Sequence, residues 1–235
     1  MNRKPFKFKQ FSIFQDKTAM KVGTDGVLLG AWATNNSGNT ILDIGTGTGL
    51  ISMMLAQRFP ESQIDAIEID ENAYYQAKEN FENTPFYNRL SIYLTSLQDY
   101  KTDKKYDLIV SNPPFFTVND LNEFDARKQA RQEETLTFSD LLEKTAQLLN
   151  KDGLASFIIP HDRMLEFCAI AAENALKVSK TTLIKGNETS PIKRVLLEFS
   201  LEQKEIEENT LTIEIERHRY TNDYVNLTKD FYLKM

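Results

Sequence analysis

Asp43-Ile44-Gly45-Thr46-Gly47-Thr48-Gly49 stands between an apolar run, Ile41–Ile44, and a helical pattern that begins at Leu50. Glycines at alternate positions let a backbone turn sharply and approach a ligand that side chains would hold off. Two phosphate-binding readings are excluded by the spacing. A dinucleotide fingerprint needs a glycine where Leu50 stands, and a P-loop needs a lysine where Leu50-Ile51 follow. Glu68 lies at the end of the next apolar run, 25 residues beyond Asp43. A carboxylate there can accept hydrogen bonds from both hydroxyls of an adenosine ribose. Its neighbour Asp70 is suited to capping the helix that follows. The glycine turn and the acidic strand end together point to S-adenosyl-L-methionine as cofactor.

Asp107-Leu108-Ile109-Val110-Ser111 is a buried-strand pattern running into Asn112-Pro113-Pro114-Phe115. Asn112 can offer its side-chain carbonyl oxygen, and Pro113, which lacks an N–H, a backbone carbonyl. Two acceptors aimed at an exocyclic amine draw its hydrogens out of conjugation and turn the nitrogen lone pair toward a sulfonium methyl. The prolines stiffen the loop, so the acceptors are in place before substrate arrives. Phe115 supplies an apolar face on which a flipped-out base can stack, worth roughly 1–3 kcal/mol. Methyl displacement from a cationic donor is in-line, so no metal or general base is expected. These four residues are the candidate catalytic set.

Positioning them requires an alternation of strands and helices. Apolar runs at Ile41–Ile44, Ile64–Ile69, Leu90–Thr95, Asp107–Ser111, Leu154–Ile159 and Val195–Leu201 read as strands. Helical faces lie between them: Leu50, Ile51, Met54 and Leu55; Ala73, Ala77 and Phe81; and Leu141, Thr145, Leu148 and Leu149, with Gly153 as a stop signal. Strands apolar on both faces mean an α/β fold with a parallel sheet covered on both sides. In such a sheet ligands bind beyond the carboxyl ends of the strands where strand order reverses. That places Asn112, after the fourth strand, beside the glycine turn after the first. Residues 6–15 alternate aromatic and polar like a half-exposed strand, and Leu211–Glu216 alternates like an edge or surface strand. Asn112–Glu134 has little apolar periodicity, and a loop of that length is expected to be functional or disordered.

The length suits one domain, 1–235, with an N-terminal strand and helix extension (1–38), a core (39–201) and a C-terminal strand and helix (202–235). No apolar run reaches the length of a membrane span and no signal-peptide pattern opens the chain, so a cytoplasmic protein without membrane contact is expected. Cys168 is the only cysteine, and His161 and His218 lie far apart, so neither a disulfide nor a metal site is expected. The net charge of −6 is unevenly spread. Residues 1–21 hold six cations against Asp16 alone, whereas seven glutamates stand against Lys204 over residues 198–216. Either run read singly is a solvated face.

The motifs resemble the amino-methyltransferases of the seven-stranded, Rossmann-like methyltransferase fold, and most closely the bacterial tRNA(Val) adenosine-N6 methyltransferases. The likeness spans nearly the whole chain: Phe8–Phe11, Ala19–Trp32, Ile41–Leu50, Ile64–Asp70, Asp107–Phe115, Gln129–Arg131, Arg194–Ser200 and Phe231–Leu233. It implies a mostly parallel sheet with an antiparallel last strand, S-adenosyl-L-methionine as methyl donor, and the adenosine beside the anticodon of a tRNA as acceptor. It further implies that the Lys21–Trp32 block packs over the cofactor, with Lys21, Thr24 and Asp25 joining Asp43, Gly45, Gly47, Gly49, Glu68, Ser96, Leu97 and Asn112 as cofactor-binding residues. Two departures stand out. Phe115 replaces the tyrosine of many relatives, and Ser96 stands where relatives place an aspartate on the adenine amine, a contact left to Ser96 or the Leu97 backbone.

Which polymer carries the amine is a matter of charge. Arg127, Lys128 and Arg131 follow the tetrapeptide, and Lys193 and Arg194 precede the last core strand, where a tRNA backbone would pass. Arg131 either meets RNA or braces the loop. A protein glutamine-N5 methyltransferase would share the tetrapeptide but carry a longer N-terminal substrate domain. A DNA adenine methyltransferase would need a target-recognition insertion. A non-catalytic RNA-binding protein of this fold would have little use for Asp43, Glu68 and Asn112 together. Nothing in the sequence sets the oligomeric state, for which a monomer is the expectation.

Overall fold

In the computed structural model, residues 4–18, 21–35, 38–114 and 136–234 are described. The elements run β1 (Phe6–Lys7), β2 (Ser12–Ile13), α1 (Thr24–Trp32), β3 (Thr40–Ile44), α2 (Leu50–Arg58), β4 (Gln63–Glu68), α3 (Glu71–Glu82), β5 (Leu90–Leu94) and β6 (Tyr106–Ser111). They continue as α4 (Phe138–Leu148), β7 (Leu149–Pro160), α5 (Met164–Glu173), β8 (Lys177–Asn187), β9 (Ile192–Ser200), β10 (Glu207–Glu216), β11 (Arg219–Tyr220) and α6 (Asn222–Thr228).

Strand order in the large sheet is β11-β10-β8-β9-β7-β6-β3-β4-β5. β3, β4, β5, β6 and β7 are mutually parallel, and β9 runs antiparallel to both β7 and β8. This is the mostly parallel, doubly covered sheet expected, with its antiparallel last core strand; β10 and β11 extend the seven-strand core. Alternate side chains serve opposite faces. Leu42, Ile44, Ile109, Phe157 and Phe199 pack with Leu141, Leu142 of α4 and Phe167 of α5. Ile41, Leu108, Val110, Ile158 and Leu196 pack with Leu28, Leu29 of α1, Ile51, Leu55 of α2 and Tyr224 of α6. Order reverses at β3, where β4 lies on one side and β6 on the other.

Three expectations are corrected. Residues 6–15 form two short paired strands rather than one, with Phe6 opposite Ile13. The Phe8 N–H closes the turn on the Phe11 carbonyl, and Phe8, Phe11 and Ile13 are buried against Val27, Met53, Met54 and Phe81. Leu149 belongs to β7, not to α4: the helix ends as its backbone becomes extended and its side chain enters the core. Gly153 is therefore no helix stop. It lies inside β7, where a methyl group would meet Leu149 Cδ1 and the Tyr106 carbonyl at 2.9 Å. β10 is the surface strand expected of Leu211–Glu216, with only Leu211 buried, and it is held by β8 on one side and β11 on the other rather than lying at the edge.

Candidate active site

Register alone brings the motifs together. Ile44 pairs with Ile67 of β4 and with Ser111 of β6, so Gly45, Glu68 and Asn112 emerge side by side at the carboxyl edge of the sheet. The Ser111 hydroxyl donates to the Ile44 carbonyl at 2.8 Å, a buried cross-tie between β6 and β3.

The turn itself is built on three left-handed glycines, φ +70° at Gly45, +59° at Gly47 and +84° at Gly49. Such values cost other residues about 1–2 kcal/mol each. The three have different neighbours. A methyl group on Gly45 or Gly47 would meet no heavy atom within 4 Å, whereas on Gly49 it would overlap the Phe81 ring. The first two line open space and the third is a packing glycine.

Asp43 is fully buried behind the turn. Its Oδ2 accepts from the hydroxyls of Thr46 and Ser52, each at 2.6 Å, and from the Ser52 N–H at 3.1 Å. Burial pushes its carboxyl up to about 6 against these hydrogen bonds. Oδ1 has no hydrogen-bond partner among the described residues, although it is buried. A buried acceptor with spare capacity beside an open turn is what a donor-bearing ligand such as S-adenosyl-L-methionine fits.

Glu68 is gripped by backbone. Oε1 accepts the N–H groups of Ile69 and Asp70, both at 2.9 Å, and Oε2 that of Gly47 at 2.8 Å. Burial raises its pKa, opposed by those N–H groups. With one lone-pair site left on Oε2, accepting two ribose hydroxyls requires the Gly47 N–H to give way. Asp70 caps α3 as expected, its Oδ1 accepting from Ala73 N at 2.9 Å.

Asn112 is half-buried and its side chain makes no hydrogen bond to the described residues; Pro113 is buried and Pro114 half-buried. Phe115, Arg127, Lys128 and Arg131 lie outside the described residues. Ser96 follows β5, and the Thr95 N–H beside it donates to the Glu68 carbonyl at 2.9 Å. Its hydroxyl is engaged in a local turn, donating to Asp99 Oδ2 at 2.8 Å and accepting from Asp99 N at 3.1 Å. The Leu97 side chain is in the core.

The N-terminal candidates lie in and just before α1. Thr24 and Asp25 open α1, with Gly23 extended before them. Lys21 turns its ammonium onto the carbonyls of Gln15 and Thr18, so it ties down its own segment rather than facing the turn. Lys193 is exposed. Arg194 is ion-paired to Asp25, Nε to Oδ2 at 2.8 Å, which joins a residue expected on the cofactor to one expected on RNA.

Sequence reasoning missed Ser52 and Asn80. Asn80 is fully buried, donates to the carbonyls of Phe14 and Thr48 at 2.9 and 2.8 Å, and accepts the Phe14 N–H at 2.9 Å. It clamps the N-terminal segment to the glycine turn. Its signal was legible: Gln76 and Asn80 are a polar i, i+4 pair beside the Ala73, Ala77, Phe81 stripe. Among the described residues no group of His, Cys, Asp and Glu is arranged to hold a metal.

The model of the methyltransferase small domain family matches residues 14–166. The tRNA1(Val) (adenine(37)-N6)-methyltransferase of Flavobacterium psychrophilum is 50% identical over 233 residues, 98% of this chain and 100% of the relative. That of Christiangramia forsetii is 46% identical, with both chains wholly covered. Among solved structures, a predicted O-methyltransferase from Agrobacterium tumefaciens aligns with a TM-score of 0.69 at 17% identity, covering 88% of this chain and 96% of that one. The glycopeptide N-methyltransferase MtfA, solved with S-adenosyl-L-methionine, aligns with a TM-score of 0.55 at 12% identity over 78% and 90%. At such identities these two speak for the fold alone. A family model over residues 14–166 and end-to-end relatives at this identity decide the matter: the chain belongs to the methyltransferase small domain family, with the tRNA1(Val) (adenine(37)-N6)-methyltransferases.

Proposed function

We infer that this chain transfers a methyl group from S-adenosyl-L-methionine to the N6 amine of adenosine 37 in tRNA(Val), the activity named for its full-length relatives. One structural observation carries the chemistry: Asn112-Pro113-Pro114 leaves β6 hydrogen-bonded alongside β3, whose glycine turn opens onto uncrowded space. The bound donor supplies an electrophilic methyl on a sulfonium. Gly45 and Gly47 admit it by having no side chains, Asp43 Oδ1 and Glu68 Oε2 have acceptor capacity for its polar groups, and Asp25 stands nearby on α1. The adenine amine is left to Ser96, whose hydroxyl donates to Asp99 and accepts its N–H but keeps one lone pair, or to the Leu97 backbone.

Asn112 Oδ1 and the Pro113 carbonyl accept the two amine hydrogens, which holds the nitrogen lone pair for in-line attack. The fixed φ of Pro113 and Pro114 keeps that pair of acceptors rigid, so little reorganisation accompanies the reaction. We assign Phe115 as the stacking face for the flipped base, and Arg127, Lys128, Arg131 and Lys193 to the tRNA backbone. A cytoplasmic location follows from a tRNA substrate; no helix among the described residues is long and apolar enough to cross a membrane.

The test is transfer of radiolabelled methyl to total tRNA from a strain lacking the gene, followed by nucleoside analysis. The expected product is N6-methyladenosine in tRNA(Val). Label in protein instead would establish the glutamine reading and overturn this one.

A further inference from the structure

We propose that Arg194 is a positioning residue of the cofactor cradle, acting through Asp25, and not part of the RNA-contacting surface; the proposal rests on the reading that the glycine turn holds S-adenosyl-L-methionine. Arg194 pairs across the sheet with Pro160, the last residue of β7, and β7 runs parallel to β6. It therefore stands at the same sheet edge as Asn112. Its Nε donates to Asp25 Oδ2 at 2.8 Å across 169 residues of chain, and its Nη1 donates to the Lys193 carbonyl at 3.2 Å. The two side chains are 35% and 29% exposed, so water screens the pair only in part.

Asp25 lies in the first turn of α1, where a carboxylate also meets the positive end of the helix. The next residue, Gly26, packs directly on α2: a methyl group there would stand 3.1 Å from Leu50 Cδ2. Leu50 directly follows Gly49, so the start of α1 bears on the residue next after the glycine turn. The opposite end of α1 is tied separately, by Trp32 Nε1 donating to Thr182 Oγ1 at 3.0 Å and by Gly30 packing against Met54. With that end fixed, the Asp25–Arg194 pair governs the end that faces the site.

The same geometry works against a phosphate role. Two arms of the guanidinium already donate to protein oxygens, and Asp25 offsets its charge. Lys193, exposed beside it, stays with the RNA surface.

The test compares full-length wild type with Arg194→Gln, Asp25→Asn and the double variant. Affinity for S-adenosylhomocysteine is read by calorimetry, and affinity for a tRNA(Val) transcript by filter binding over a salt series. Each single substitution should weaken S-adenosylhomocysteine about three- to fivefold, as expected of a half-exposed ion pair. The double should be no weaker than the worse single, because the two act as one unit. tRNA affinity and its salt slope should match wild type. Unchanged S-adenosylhomocysteine affinity in Arg194→Gln would overturn the proposal. So would additive losses in the double, or weaker tRNA binding with a salt slope smaller by about one phosphate. Wild-type protein that binds no S-adenosylhomocysteine would refute the cofactor reading itself, an outcome distinct from all of these.

Discussion

Replacing Gly47 and Gly49 by alanine, one at a time, should separate cofactor binding from folding. Both residues are left-handed, at φ +59° and +84°, so each alanine carries about 1–2 kcal/mol of backbone strain. Beyond that they diverge. At Gly47 the new methyl group meets no atom of the protein within 4 Å, and the N–H that bonds Glu68 survives because it is backbone. The expected stability loss is the strain alone, a fall in Tm of about 2–8 °C for a chain of this size. The methyl group stands, however, in the space proposed for the cofactor, and S-adenosylhomocysteine affinity should fall at least about tenfold. Gly47→Val should abolish binding. At Gly49 the methyl group overlaps the buried Phe81 ring, which adds an overpacking cost of about 1–3 kcal/mol to the same strain. Gly49→Ala should thus unfold at the lower temperature. Circular dichroism melts with and without S-adenosylhomocysteine, together with calorimetry, read both quantities. A Gly47→Ala protein that binds ligand as tightly as wild type, or melts below Gly49→Ala, would refute the division of roles within the turn.

Three further expectations follow from the site. Asn112→Ala removes one of the two proposed acceptors and should lower kcat about 10²–10³-fold while the melting temperature stays near wild type; near-normal turnover would show that the amine is gripped elsewhere. Asp43, raised from its ordinary 3.8 to about 6 by burial, gives stability that is full below its unfolded value and lost as pH rises through 6. The stability of Asp43→Asn relative to wild type should therefore improve by about 1 kcal/mol between pH 5 and pH 7.5, measured by urea unfolding at each pH. A difference that does not change with pH would mean the carboxyl is not perturbed in this way. Substituting Arg127 and Lys128 by glutamate should raise the KM for tRNA more than it lowers kcat in steady-state assays, and an unchanged KM would move the tRNA surface elsewhere.

The parallel core was legible because its inner strands, β3, β4, β6 and β7, are apolar on both faces, which marks strands covered on both sides. Every strand expected from such a run is present. β8 escaped notice for the complementary reason. Lys177-Val178-Ser179-Lys180-Thr181-Thr182 reads as polar, and two of its buried hydroxyls find partners across the fold: Ser179 bonds the Glu198 carboxylate and Thr182 the Trp32 indole. Those partners are 19 and 150 residues away. Local periodicity holds no trace of them.

The sequence by itself determined the chemistry on offer: a glycine turn after an apolar strand, an acidic end to the next strand, and two rigid acceptors in Asn112 and Pro113. These are statements about residue type and short spacing, and backbone sterics and hydrogen-bond capacity fix their meaning locally. Only the tertiary structure decided how each residue is used. It left Gly45 and Gly47 open but packed Gly49 on Phe81, committed the Ser96 hydroxyl to Asp99, turned Lys21 onto its own segment, and paired Arg194 with Asp25. A charged or polar side chain goes to the strongest partner within reach, and which partner that is depends on residues brought near by the fold, up to 169 positions away.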